Sequence, residues 1–267
     1  MILKFPFTNA FVTCVIAATA SEAATIALPA GGNLQSAINS AQPGDMITLP
    51  AGATYVGNFI LPAKTNPNGL NITIRSAAAP STLPAAGQRI MPSHASQLAK
   101  IKSPNALPAI QTAANARFWV LQYLEFQPNP GGYGDIITLG SGDPAIQTSL
   151  SQVPSDLIID HCYIHGDPIS GQKRGIALNS GKTDIVDSYI CEIKAVGFET
   201  QAIAGWNGPG PYRILNSYLE GAGINFLLGG SDPGIPNLVT TGVEFKRNHL
   251  AKPIGWRQPI LAAPTNV

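Results

Sequence analysis

Acidic and basic side chains recur at one place in this chain, directly after an aromatic residue that sits in a short apolar run. His165 and Asp167 follow Tyr163, Glu192 and Lys194 follow Tyr189, Glu220 follows Tyr218, and Lys252 follows His249. If these runs are strands stacked rung upon rung, neighbouring rungs bring such groups to about 5 Å and alternate rungs to about 10 Å. At those separations carboxylates can share a hard cation through oxygen ligands, and acids beside bases can pass protons or hold an acidic sugar. Asp167, Glu192 and Glu220 are the candidate ligands of a calcium ion, and His165 and Lys194 are candidate proton carriers. The competing reading is a solvated strip whose alternating charges keep the sheet from pairing. Tyr163, Tyr189 and Tyr218, with Trp206 from a second set of runs, are candidate platforms for sugar rings; the alternative for the tyrosine column is simple stacking, ring on ring.

The elements that must position these residues are repeats. WVLQYLEF (119–126), LIIDHCYIHGD (157–167), DIVDSYICEI (184–193), YRILNSYLEG (212–221) and VEFKRNHLAK (243–252) align on Tyr123, Tyr163, Tyr189, Tyr218 and His249, in steps of 40, 26, 29 and 31 residues. Between them lie DIITLGSG (135–142), RGIALNSG (174–181), QAIAGWNG (201–208) and NFLLGG (225–230). Two interleaved families of aliphatic strands, each closed by a small-residue turn, mark a solenoid. Alternation places Ile164, Ile190, Leu219 and Leu250 inward, and the aromatic column outward. Cys162, Ser188, Ser217 and Asn248 share the inward register beside the turn, where small and hydroxylated side chains can bond to backbone coil upon coil. Two stretches lack this periodicity, residues 143–155 and 229–237; both follow strands of the second family, so both are expected to project on one side and wall a groove.

An open solenoid end is a template for aggregation and needs a cap. The stretch LQSAINSAQPGDMITLPAGATYVGNF (34–59) supplies one: helical spacing over residues 33–41, then a Pro-Gly-Asp turn and a strand. It resembles the N-terminal cap and first coil of right-handed parallel β-helix proteins of the pectin-lyase-like superfamily. With the repeats, the resemblance covers nearly the whole chain after residue 23. It implies an all-β fold, a single-stranded right-handed parallel β-helix of about seven coils with a short N-terminal capping helix.

IIDHC (158–162) looks like the Asp-His segment of pectate lyases of the polysaccharide lyase 1 type, and RGIALNSGKTDIVDSYI after it is similar to that family's next coil. FKRNHLAKPIGWRQP (245–259) matches the region of that family that carries its arginine, with Asn248, Pro253 and Arg257 in place. The resemblance implies calcium held by carboxylates and a basic side chain that takes the proton beside a uronate carboxylate. Arg174, Arg257 and Lys194 compete for that role. β-Helix hydrolases of the polygalacturonase type are the enzymatic alternative, but their Asn-Thr-Asp, Asp-Asp and Arg-Ile-Lys segments have no counterpart. A non-catalytic, adhesin-type carbohydrate-binding solenoid is the alternative outside enzymology.

Composition bounds these readings. The 267 residues include 27 Gly and 23 Pro, only 12% are charged, and the net charge is +1 without a basic block, which gives no electrostatic footprint for nucleic acid. Residues 1–23, with Lys4, an apolar run and small residues before Ala23, have the layout of an export signal, so the expected location is secreted, periplasmic or at the cell surface. No span is expected after its removal. Residues 24–267 are then one β-helix domain, expected to be incomplete at its C-terminal end because GWRQPILAAPTNV closes no coil. Of the two cysteines left, Cys162 and Cys191 fall at different positions of their coils, so free thiols are expected. Four scattered His give no zinc-ligand spacing. The function these residues point to is action on, or binding of, an acidic polysaccharide, with calcium-assisted β-elimination as its catalytic form.

Overall fold

The structure is a computed structural model and describes residues 23–256. Residues 1–22, which hold nearly all of the expected export signal, and residues 257–267, with the candidate Arg257, lie outside the described residues.

Short apolar strands separated by tight turns leave one way to bury both flanks of every strand, which is to stack each on its counterpart from the previous coil. The chain does this in three parallel sheets. The first runs through eight strands, from Thr25–Ala27 by way of Met46–Leu49, Ser155–Asp160 and Gly181–Val186 to Val243–Lys246. The second has seven, among them Ala99–Lys102, Leu124–Phe126, Tyr163–His165, Tyr189–Ile193, Tyr218–Gly221 and His249–Ala251. The third has six, from Phe59–Leu61 through Asp135–Leu139, Arg174–Leu178 and Gln201–Gly205 to Ile224–Leu228. Each coil contributes one strand to each sheet in turn, the arrangement of a parallel β-helix.

Register matches the second repeat family throughout: Ile137, Ile176, Ile203 and Phe226 are successive partners. In the first family Tyr163, Tyr189, Tyr218 and His249 stack as aligned, but Tyr123 does not. Glu125 pairs with Tyr163, so Tyr123 falls two positions earlier, at the corner between the first and second sheets. Ile164, Ile190 and Leu219 are fully buried as expected. Leu250 is not; it is 52% exposed, because its strand is the last described rung and is covered from one side only.

The expected polar ladder is present on the inner side of that corner. The Cys162 amide donates to Ser188 Oγ (3.1 Å), the Ser188 amide to Ser217 Oγ (3.2 Å) and the Ser217 amide to Asn248 Oδ1 (2.8 Å). Each satisfies a turn amide that the parallel ladder leaves over. The cap is the α-helix Leu34–Ser40, N-capped by Asn33, whose side chain accepts from the Ser36 amide (2.9 Å); Leu34, Ala37 and Ile38 close the first coil. Cys162 and Cys191 are free and buried. No helix among the described residues is long and apolar enough to cross a membrane.

Candidate functional site

At the corner between the first two sheets, Tyr123, His161, Asp187, Asn216 and Arg247 occupy one position of successive coils, all with φ between 46° and 56°. The left-handed conformation there is tolerated best by Asn, Asp and His. Residues 77–98 lie along this corner as a strap. Tyr123 Oη donates to Pro84 O (2.9 Å), the Gly87 amide to Asp187 Oδ2 (2.7 Å), Asn216 Nδ2 to Gly87 O (3.0 Å), and Arg89 Nε to Asn216 O (2.9 Å).

Under the strap sits the Asp-His segment. Asp160, His161 and Asp187 are, among the described residues, the one group of three ligand-type side chains whose ligand atoms all lie within 4.8 Å of one another. His161 Nδ1 is 2.6 Å from Asp160 Oδ1, and Nε2 is 3.2 Å from Ala85 O and 3.6 Å from Asp187 Oδ2. Burial disfavours the charged ring, but the bond to Asp160, its charge, the Ala85 carbonyl and Asp187 outweigh it and raise the His161 pKa. Both ring nitrogens face oxygen acceptors, an arrangement that a doubly protonated imidazole satisfies. The remaining oxygens are engaged too, Asp160 Oδ2 by Gln122 (2.8 Å) and Asp187 Oδ1 by Asn216 (2.7 Å). The trio fits an imidazolium held between two carboxylates.

The predicted strip lies on the outer face of the second sheet, but its members are mostly engaged with one another. Asp167 Oδ1 accepts from the amides of Ile169 and Ser170 (2.8 Å each), bonds that lower its pKa. Glu220 accepts from Tyr218 Oη (2.6 Å) and from the Glu192 amide (3.1 Å). Lys194 Nζ lies 2.7 Å from Glu192 Oε2, donates to Pro168 O (2.9 Å) and stands 4.8 Å over the Trp256 ring. Asp167, Glu192 and Glu220 thus form no common oxygen cage of the kind calcium takes. His165 stacks on Tyr163 (4.4 Å between ring centroids) and approaches Glu125 (3.3 Å). Burial opposes ionisation of Glu125, but hydrogen bonds from His165, Lys100 and Gln127 and the Lys100 charge hold its carboxyl down at about 2. Tyr189 and Tyr218 stack face to face at 4.2 Å, and Tyr163 meets Tyr189 edge-on at 6.1 Å. Their flat faces are spent on the column itself.

Arg174 and Trp206 belong elsewhere, on the third sheet, and the structure brings these two together. The guanidinium lies 5.1 Å over the indole; Nε donates to Gln201 Oε1 (2.9 Å) and Nη1 to Asp135 Oδ1 (2.8 Å). The adjacent strands fix that geometry, because Asp135, Arg174 and Gln201 are register partners. Both irregular loops gather on this side, as expected. Trp206 Nε1 donates to Gly142 O (2.8 Å). The buried Asn207 joins the loops: Nδ2 donates to Ser141 O (3.0 Å) and Gln147 O (2.9 Å), and Oδ1 accepts from the amides of Gly234 (3.0 Å) and Ile235 (3.3 Å). Asn179 Oδ1 holds the Trp206 and Asn207 amides (2.9 Å each). Three hollows follow this face: about 240 Å³ between Gln111, Thr138 and Ile146; about 140 Å³ lined by Arg174, Glu199, Gln201 and Trp206; and about 300 Å³ between Trp206 and Pro233. Asp135, Asn179, Gln201 and Asn207 were not singled out from sequence. The available signal was an Asn next to the closing Gly turn in LNSG and GWNG.

No family model matches the sequence, and no curated protein matches it. Among solved structures the chain is similar to an alginate lyase from Paenibacillus sp. str. FPU-7 (18% identity, TM-score 0.49, covering 86% of this chain and 74% of that one). It is also similar to the pectate lyase Pel9A (14% identity, TM-score 0.36, 75% of this chain and 64% of that one) and to the PL6 family alginate lyase AlyGC (14% identity, TM-score 0.31, 76% and 40%). The fold stands on the strand pairing given above.

Proposed function

We propose that this β-helix protein acts on or binds an acidic polysaccharide, laid across the outer face of the third sheet. The observation that carries this is the Arg174–Trp206 pair on the floor between the two loops. Asp135 and Gln201 take two of the guanidinium nitrogens and fix its plane, while Nη2 makes no hydrogen bond to the described residues. A uronate carboxylate is the natural partner for a cation so oriented. The indole adds apolar area for a ring face, and Glu199 on the same hollow offers a carboxylate to hydroxyls.

In its catalytic form the reading is β-elimination. A base removes the proton on the carbon beside the carboxylate, the electron pair becomes a carbon–carbon double bond, and the glycosidic oxygen leaves. Arg174 would stabilise the charge that builds on the carboxylate as that proton departs. Calcium would add to the same stabilisation; no ligand set is assigned to it. The export layout of residues 1–23 supports a site of action outside the cytoplasm, where such polymers are met.

The test is calorimetric binding to polyuronates, with and without calcium, beside ultraviolet detection of unsaturated products, for wild type, Arg174→Gln and Trp206→Ala. Product formation lost in Arg174→Gln assigns a lyase. Binding without product assigns a non-catalytic solenoid, and new reducing ends without ultraviolet absorption assign a hydrolase. A wild-type protein that neither binds nor cleaves any polyuronate overturns the reading.

A further inference from the structure

The third sheet has a second border, at the start of its strands, and the chemistry there differs from that of the loop-lined side. Tyr133 and Phe198 come from turns two coils apart, with the coil of Lys173 between them, and they remain 53% and 40% exposed. Their rings meet edge to face, with centroids 5.8 Å apart and planes at 82°, an arrangement that leaves flat aromatic surface open on both. This is the opposite of the tyrosine column, where Tyr189 and Tyr218 cover one another. The Tyr133 ring lies close over Gly131, whose φ of 71° favours glycine and where a Cβ would come to 2.8 Å from the ring. Lys173 Nζ lies 5.9 Å from the Phe198 centroid and makes no ion pair among the described residues.

Two of these residues adjoin residues of the groove in sequence. Lys173 precedes Arg174, and Phe198 precedes Glu199, which lines the hollow shared with Arg174, Gln201 and Trp206. Resting on the function proposed above, we infer that Tyr133, Phe198 and Lys173 form a second sugar subsite beside Arg174, built for a uronate ring. The C–H face of the pyranose lies on the open aromatic surface, the carboxylate pairs with the Lys173 ammonium, and Glu199 accepts from a hydroxyl. The occupant is an anionic sugar rather than a neutral one because the cation nearest the rings is unpaired while the aromatic surface alone would not discriminate.

The experiment is calorimetry of purified protein with an oligouronate series of increasing length and with a neutral oligosaccharide series, for wild type, Tyr133→Ala, Phe198→Ala, Phe198→Tyr, Lys173→Gln and Arg174→Gln. Phe198→Ala should weaken the longer oligouronates roughly tenfold, the size of one lost aromatic contact, and leave the shortest that bind unchanged. Phe198→Tyr should restore affinity. Lys173→Gln should weaken oligouronates and reduce the salt dependence of their binding. Tyr133 and Phe198 are exposed, and unaltered circular-dichroism melts would verify the fold of each variant. Oligouronate binding that Arg174→Gln abolishes but Tyr133→Ala, Phe198→Ala and Lys173→Gln leave intact overturns the subsite and spares the function. Binding lost in the aromatic variants but kept in Arg174→Gln upholds the subsite and overturns the assignment of Arg174. Equal losses for neutral and acidic series overturn the choice of ligand.

Discussion

Replacing His161 by Ala should loosen the strap over the corner of the first two sheets, and the structure gives the size of the effect. The side chain is 2% exposed and stands between Asp160 (2.6 Å) and Asp187 (3.6 Å). Removing it leaves two poorly solvated carboxylates without their shared cation, a loss of about 3–5 kcal/mol. For a chain of this size that corresponds to a melting temperature lower by roughly 6–20 °C. The pH dependence has a definite sign. The pKa of His161 is raised in the fold, so its contribution is complete below the unfolded value near 6.5 and is lost as pH climbs through the folded value. The other groups facing it do not mask this. The Tyr123 phenol, whose ring lies tilted 4.7 Å from the imidazole, is pushed up chiefly by burial and then by Asp160, and so stays protonated. Arg75 lies over the Tyr123 ring, and Arg89 on the strap donates to the Asn216 carbonyl. The assay is thermal unfolding by circular dichroism from about pH 5 to about pH 9, with limited proteolysis of residues 77–98 as the local readout. Wild type should lose stability toward the alkaline end, and His161→Ala should start low and vary less over that range. A variant that melts with wild type near pH 6, or a wild type that gains stability above it, would refute the imidazolium bridge.

Ile38, fully buried between the capping helix and the first coil, should not accept a charge: Ile38→Asp is expected to lower the melting temperature and raise light scattering as the sheet end is uncovered. Glu125 gives the acid counterpart of His161. With its carboxyl held down at about 2, its stabilisation is present above the unfolded value near 4.3 and is lost as pH falls toward the folded one, so Glu125→Gln should flatten the acid side of the stability profile. In the buried column, Ile190→Ala should cost about 2–5 kcal/mol in urea unfolding, with an unchanged strand signature by circular dichroism.

The repeat period was legible because each strand obeys the same local rule, and the cap, both strand families, the Ser and Asn ladder and the projecting loops all follow from it. Tyr123 shows where that rule fails. It precedes an aliphatic residue as the other column members do, yet the corner asks only for tolerance of a positive φ, and His161, Asp187, Asn216 and Arg247 satisfy it equally. Glu125 stands in the tyrosine column because Lys100, one coil earlier, supplies its countercharge, a pairing 25 residues away that no local pattern announces. The strap is hidden for the same reason, since Arg89 reaches partners as far as Arg247, 158 residues on. Among the candidate site residues, type was readable and face was not. Arg174 and Trp206 stand out by type, but their meeting on the third sheet, beside Asp135 and Gln201, depends on how many residues each turn spends between sheets.

Asn207 makes the two loops of the groove a single thermodynamic unit. One amide side chain serves Ser141 and Gln147 through its nitrogen and Gly234 and Ile235 through its oxygen, so neither loop can rearrange without unpairing a buried group that the other needs. Substitutions in the two loops should therefore be non-additive although they lie some ninety residues apart in sequence, with a coupling of about 0.5–3 kcal/mol that vanishes in an Asn207→Ala background. Changes in length made to one loop alone would be resisted by the other, which makes the width of the groove a joint property of both insertions.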